Sequence, residues 1–256
     1  MRQPTAYHSD GSFAIRMWIY AILGLDMEAR KQIISVSEIT RGIAQRVRNP
    51  LNAFQLNLES LEDEITSANI ENSLERLRRM RNTVAEIDYF LSEILRVTDL
   101  PRPQITPVNI NQLVAEVETF ARPESLKKEV TVSLNLQVNL PELQADPVQI
   151  KQVILKVLLN AIEASPLKGS ITLATEEKNG HVIIKVTDQG EGILPAARER
   201  IFEPFFSTKE GGAGLGLLWA LKIVKLHRGG ISFTSETGKG STFVISLPSK
   251  RNIGKK

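Results

Sequence analysis

Between Ile33 and Thr98 apolar residues recur every three or four positions, and the rhythm breaks only once. Val36, Ile39, Ile43, Val47, Leu51, Phe54, Leu58, Leu61 and Ile65 form a first seam. Leu74, Leu77, Met80, Val84, Ile87, Leu91 and Ile94 form a second. Such spacing predicts amphipathic helices with a heptad-like stripe. The polar stretch Thr66–Glu71 between the seams fits a short helix-to-helix connection. An antiparallel hairpin over residues 31–100 follows. A lone hairpin cannot bury both seams. A second copy completing a four-helix bundle covers them, so a homodimer through residues 33–98 is expected.

The flanks read differently. Phe13–Leu25 is apolar apart from Arg16, but a spanning helix needs about 20 apolar residues. Ile15, Trp18, Ile19, Ile22 and Leu23 fall at helical spacing, which predicts a lead-in helix within residues 1–30 that packs on protein. Membrane contact is expected only if an upstream segment has been removed. Prolines 101 and 103 end the hairpin. Beyond them Val130, Val132, Leu134 and Leu136 alternate with polar residues, as a half-buried strand does. Residues 171–175 and 182–186 read as a hairpin across Asn179-Gly180, and residues 231–235 and 242–246 as another across 237–240. Helical runs cover residues 111–120, 147–164 and 215–226. Residues 104–248 thus form an α/β sandwich, and residues 249–256 a solvated basic tail.

Composition narrows the functions. The chain has 256 residues, no cysteine, 32 basic and 29 acidic side chains, and only 5% aromatics. Thiolate chemistry and disulfides are excluded. So balanced a charge, with so few stacking rings, does not suggest a nucleic-acid binder.

Four groups in the sandwich carry candidate chemistry. The helix after Asp146-Pro147 ends in Asn160-Ala161-Ile162-Glu163-Ala164; a carboxamide oxygen is a hard ligand suited to a phosphate-bound Mg²⁺. Asp188-Gln189-Gly190-Glu191-Gly192-Ile193 lies just past an apolar strand, where a carboxylate can accept the amine of adenine and glycines let backbone approach a flat base. Residues 202–209, Phe-Glu-Pro-Phe-Phe-Ser-Thr-Lys, end in a cation. Gly212-Ala213-Gly214-Leu215-Gly216-Leu217 opens a helix whose free N–H groups favour phosphates.

In order and on those elements, the groups resemble the asparagine, first glycine, phenylalanine and second glycine boxes of the GHKL-type ATP-binding domain of bacterial sensor histidine kinases. Gly238-Lys239-Gly240-Ser241-Thr242-Phe243 resembles the closing glycine motif, and Arg48-Asn49-Pro50-Leu51-Asn52 the end of the histidine box. The resemblance implies a dimeric helical bundle followed by an ATP-binding sandwich, with ATP or ADP and Mg²⁺ as cofactors. It assigns the nucleotide to Lys156, Asn160, Asp188, Gly190, Gly192, Ile193, Phe206, Lys209, Gly212, Gly214, Leu215, Gly216, Leu217 and Thr242, and the metal to Asn160. It implies a cytoplasmic setting, as a free protein or as the cytoplasmic part of a membrane sensor, and, as partner, a response-regulator receiver domain or another histidine kinase.

Three residues depart from the family. Gln45 stands at the phosphoacceptor position; it lies opposite the Ile43/Val47 seam, as that position requires, but a delocalised carboxamide nitrogen is no nucleophile. Arg46 replaces the glutamate beside it, and Lys156 replaces an asparagine four residues before Asn160, where an ammonium can bind phosphate oxygens, disturb the Mg²⁺ site by like charge, or turn to solvent. Natural loss and an introduced His→Gln substitution both fit Gln45. The readings are a nucleotide-binding pseudokinase, a kinase acting in trans on a partner, or a response-regulator phosphatase using Asn49, one turn after Gln45. His8, His181 and His227 read as structural or surface residues.

Overall fold

The structure, a computed structural model, describes residues 27–66, 70–209 and 212–249. The lead-in helix before Met27, the middle of the interhelical connection and the basic tail from Lys250 lie outside the described residues. The chain divides into two compact units, residues 1–87 and 88–256.

In the first unit α1 (Met27–Thr66) is followed by the start of α2 (Ile70–Thr98). Arg76 Nη1 donates to Asn57 Oδ1 at 3.2 Å, which ties the early part of α2 to the late part of α1. Leu61 and Met80 are buried on the seams, yet Leu58 is 42% exposed and Leu77 49%. Within one chain the stripe is therefore partly open. Pro50 lies inside α1 and has no N–H for the helical ladder.

The second unit is a five-stranded sheet with helices on one face. Its strand order is β2 (Thr131–Leu136), β4 (Ser170–Lys178), β5 (His181–Asp188), β7 (Gly240–Pro248), β6 (Gly230–Glu236). β2 pairs parallel with β4, and every other pairing in this sheet is antiparallel. The parallel pair needs a crossover, and α4 (Pro147–Ala164) provides it. This helix packs between α3 (Ile110–Lys127) and α6 (Gly216–Leu226) and against β5. Ile150, Ile154, Val157 and Leu158 bury its inner face, meeting a sheet core that includes Leu173, Ile184 and Ile245.

The sandwich is as expected; some boundaries are not. α3 runs past Phe120 to Lys127 and through Pro123, since Ala121 and Ser125 continue its buried face. Two three-residue strands, β1 (Thr106–Val108) and β3 (Leu143–Ala145), form a separate antiparallel pair too short to leave a periodic signal. A four-residue helix, α5 (Pro195–Arg198), follows the first glycine loop. The linker is docked, with Pro101 O accepting from Gln149 Nε2 at 2.9 Å and Gln104 N–H donating to Asp146 Oδ2 at 2.8 Å.

Candidate functional site

Alternation along β5 sets the centre of the site. Val182, Ile184, Val186 and Asp188 share one buried face, so the strand ends by turning a carboxylate toward the side its apolar residues occupy. Asp188 is the last strand residue, opposite Ile171, rather than just past the strand. It is 4% exposed. Its Oδ1 accepts the N–H of Gly190 at 2.8 Å and of Ser241 at 3.1 Å. Burial raises the carboxyl's pKa, and the two N–H bonds offset part of that rise. The second oxygen makes no hydrogen bond among the described residues and remains an acceptor for an incoming donor.

Close backbone approaches gather the other groups around this carboxylate. A Cβ at Gly190 would lie 2.5 Å from Ala164 O, so the first glycine loop lies directly on the end of α4. At Gly216, the first residue of α6, a Cβ would overlap Cε of Lys156 and lie 3.0 Å from its Nζ. The phenylalanine and second glycine segments also join, with Phe205 N–H donating to Gly214 O at 3.0 Å. Lys156, Asn160, Asp188, Gly190, Gly214 and Gly216 thus share one locality.

The remaining predicted residues have their own partners. Ile193 N–H donates to Ser235 Oγ at 2.7 Å, and Thr242 Oγ1 lies 3.0 Å from Thr187 Oγ1. Phe206 stacks under Arg200, whose guanidinium carbon lies 4.4 Å from the ring centroid. Gly192 has a positive φ and, with its neighbour, meets the β6–β7 turn, where Gly238 N–H donates to Glu191 O at 2.7 Å. Gly212 packs on Ser207. Leu215 is buried, and Leu217 is half-buried in the first turn of α6. Lys209, expected as a phosphate cation, is ion-paired with Glu163 of α4. In the first unit Gln45 and Asn49 are exposed and Arg46 is half-buried.

Some functional contributions had no signal in the sequence. Ser241 acts through its backbone N–H, and Glu163 through its hold on Lys209. His227 is buried, and its Nε2 accepts the N–H of Asp146 at 3.0 Å. That nitrogen therefore carries no proton, and Nδ1–H donates to Ile223 O at 2.8 Å. The ring joins the end of α6 to the start of α4, a structural role as expected. His181 lies at the β4–β5 turn near Asn179 O, and His8 is outside the described residues.

The two main helices of the site begin differently. Asp146 caps α4 by accepting from the N–H groups of Val148 and Gln149. α6 follows Leu215, which offers no side-chain cap, so its first N–H groups have no capping partner among the described residues. A buried acceptor at one end and unclaimed donors plus an ammonium at the other fit an adenine nucleotide. The fit to a protein-held metal is poorer. Among the described residues no group of three His, Cys, Asp or Glu side chains could hold an ion, leaving the Asn160 carboxamide beside Lys156. Any Mg²⁺ would be carried mainly by phosphates.

Comparison with known proteins agrees with this geometry. Residues 145–251 match the family described as histidine kinase-, DNA gyrase B-, and HSP90-like ATPase. The chain is 33% identical over 223 residues to the sensor histidine kinase ZraS of Salmonella typhi, a match covering 87% of this chain and 48% of that protein. It therefore spans about half the length of that relative. The nucleotide-free catalytic domain of histidine kinase ThkA is 31% identical with a TM-score of 0.53, covering 57% of this chain and 96% of the domain. ThkA in complex with response regulator protein TrrA shares the fold, with 24% identity, a TM-score of 0.67, and coverage of 86% of this chain and 64% of that one. Full-length ShkA in complex with AMPPNP is 26% identical with a TM-score of 0.61, covering 70% of this chain and 39% of ShkA. No helix among the described residues is long and apolar enough to cross a membrane. The chain belongs to the sensor histidine kinase family, and its second unit is a GHKL-type ATPase domain.

Proposed function

We propose that this chain is a nucleotide-binding histidine-kinase homologue of two-component signalling that does not phosphorylate itself. The observation that carries the nucleotide reading is Asp188: a buried carboxylate with one oxygen pinned by two backbone N–H groups and the other without a hydrogen bond among the described residues. Asp188 accepts the adenine amine, and the first N–H groups of α6 receive the phosphates. Any phosphate-bound Mg²⁺ would find its protein oxygen at Asn160, beside the Lys156 ammonium. ATP supplies the transferable γ-phosphoryl group when bound. The AMPPNP-bound relative supports the assignment.

The silence follows from Gln45. Positioning provides much of the rate of phosphoryl transfer, but it requires a nucleophile to position. The Gln45 carboxamide keeps the place, but its nitrogen lone pair is delocalised into the carbonyl and does not attack. Arg46 offers no base. The open seam at Leu58 and Leu77 supports a homodimer through residues 33–98. The partner is a receiver domain, by analogy with the ThkA complex, and the setting is the cytoplasm, where ATP is available. Asn49, exposed one turn after Gln45, favours a second reading as a phosphatase of that receiver domain. Calorimetry with ADP tests the first reading: binding should be present in the unaltered chain, and its absence at millimolar nucleotide overturns the proposal. Acid-labile phosphate on the unaltered chain overturns the claim of silence.

A further inference from the structure

Four lysines lie on α4 or touch it, and three are engaged. Lys151 pairs with Glu116 at 2.9 Å, Lys128 Nζ caps the helix end at Glu163 O at 2.5 Å, and Lys209 pairs with the Glu163 carboxylate. Lys156 makes no hydrogen bond or ion pair among the described residues. It is half-buried, and its stem fills the space that the missing Gly216 side chain leaves. That path places the ammonium at the start of α6, where Leu215 provides no cap and the first backbone N–H groups have no capping partner among the described residues.

We propose that Lys156 is a built-in counter-cation for the nucleotide phosphates, so that this chain holds ADP or ATP without needing Mg²⁺. The inference rests on the nucleotide site proposed above. An ammonium is a compact point charge suited to phosphate oxygens. Its positive charge and the positive end of the α6 dipole add at one place. The same charge acts against a divalent ion. Lys156 lies four residues before Asn160, on the same helix face, so a cation at the Asn160 oxygen meets a like charge one turn away. Asn160 has no carboxylate helper, since Glu163 is occupied by Lys209. The site thus exchanges a shared metal for a side-chain charge, and nucleotide retention is uncoupled from the metal.

The test is calorimetric titration of ADP into the full chain, in excess Mg²⁺ and in EDTA, for the unaltered protein, Lys156→Asn and Lys156→Arg. In the unaltered chain the two affinities should agree within about threefold, as a resident cation implies. Lys156→Asn should lose about tenfold or more in EDTA and little in Mg²⁺, while Lys156→Arg keeps the charge and the metal indifference. A tenfold or larger loss in EDTA for the unaltered chain overturns the inference, as does an equal Mg²⁺ dependence in the unaltered chain and Lys156→Asn. Binding only with Mg²⁺ leaves the nucleotide site standing and removes the role of Lys156. No binding under either condition overturns both. The comparison within the unaltered chain needs no variant, so poor folding of Lys156→Asn does not rescue the idea.

Discussion

Gln45 and Asp188 show what exposure does to a functional position. Gln45 is exposed on α1, and its backbone conformation is set by the helix rather than by its own side chain. Any reasonable helix former fits there, so the chemistry can disappear while the shape stays. Asp188 is buried, and two N–H groups from separate segments are aimed at one of its oxygens. Replacing it by a side chain with no acceptor oxygen would leave both donors unpaired, so fold and chemistry are held together at that oxygen. A lost nucleophile would be structurally silent on the helix, whereas a lost acceptor would be structurally audible in the sandwich.

The sharpest break of this contrast lies in phosphoryl transfer. Gln45→His alone should leave the chain unlabelled by γ-labelled ATP; adding Arg46→Glu and Lys156→Asn should restore label, a general base being worth about 10²–10⁴ in rate. Full labelling from the single change would show that α1 had lost only its nucleophile. Next in size is the seam. Leu58→Asp places an unpaired charge in the expected bundle, at about 3–5 kcal/mol, and light scattering should report a monomer. An unchanged mass would remove the homodimer.

A smaller and more informative effect is expected at Asp188→Asn. Nucleotide affinity should fall by roughly 1–3 kcal/mol, because the oxygen offered to the ligand becomes an N–H donor. Stability should move the other way. The folded-state pKa of Asp188 is raised, so its favourable contribution is present below the ordinary aspartate range and lost as pH rises through the folded value. The ionised carboxylate is thus a burden at neutral pH that asparagine lacks. Melting curves should show an advantage for the variant that grows from acid to neutral pH. A variant that loses stability and affinity together would mean that Asp188 is only a structural anchor. The smallest change is Lys209→Ala. Its ion pair with Glu163 is largely exposed, so thermal stability should shift by less than about 1 kcal/mol.

The sequence disclosed elements with period or glycine punctuation: the two seams, the β4–β5 hairpin and the ordered glycine groups. Asp188 was legible as a carboxylate at a strand end because the apolar run before it is uninterrupted. The β1–β3 pair was not legible, since three residues carry no period. Neither was the partner of Lys209, which depends on how α4 and the phenylalanine segment meet in space. The ring of His227 bonds Asp146, far away in sequence, and a lone histidine gives no hint of such a link.

The parallel pairing of β2 with β4 has a consequence in time. These strands cannot register until residues 137–169 have closed over them, and that closure sets α4 in place. Closing a loop before its contacts form is slow, because chain entropy is lost ahead of any gain. The helix bearing Lys156 and Asn160 is therefore itself the loop that must close. A nucleotide held there as proposed would act as a clasp on this crossover. Bound nucleotide should slow amide exchange along β2 and β4, strands it never touches.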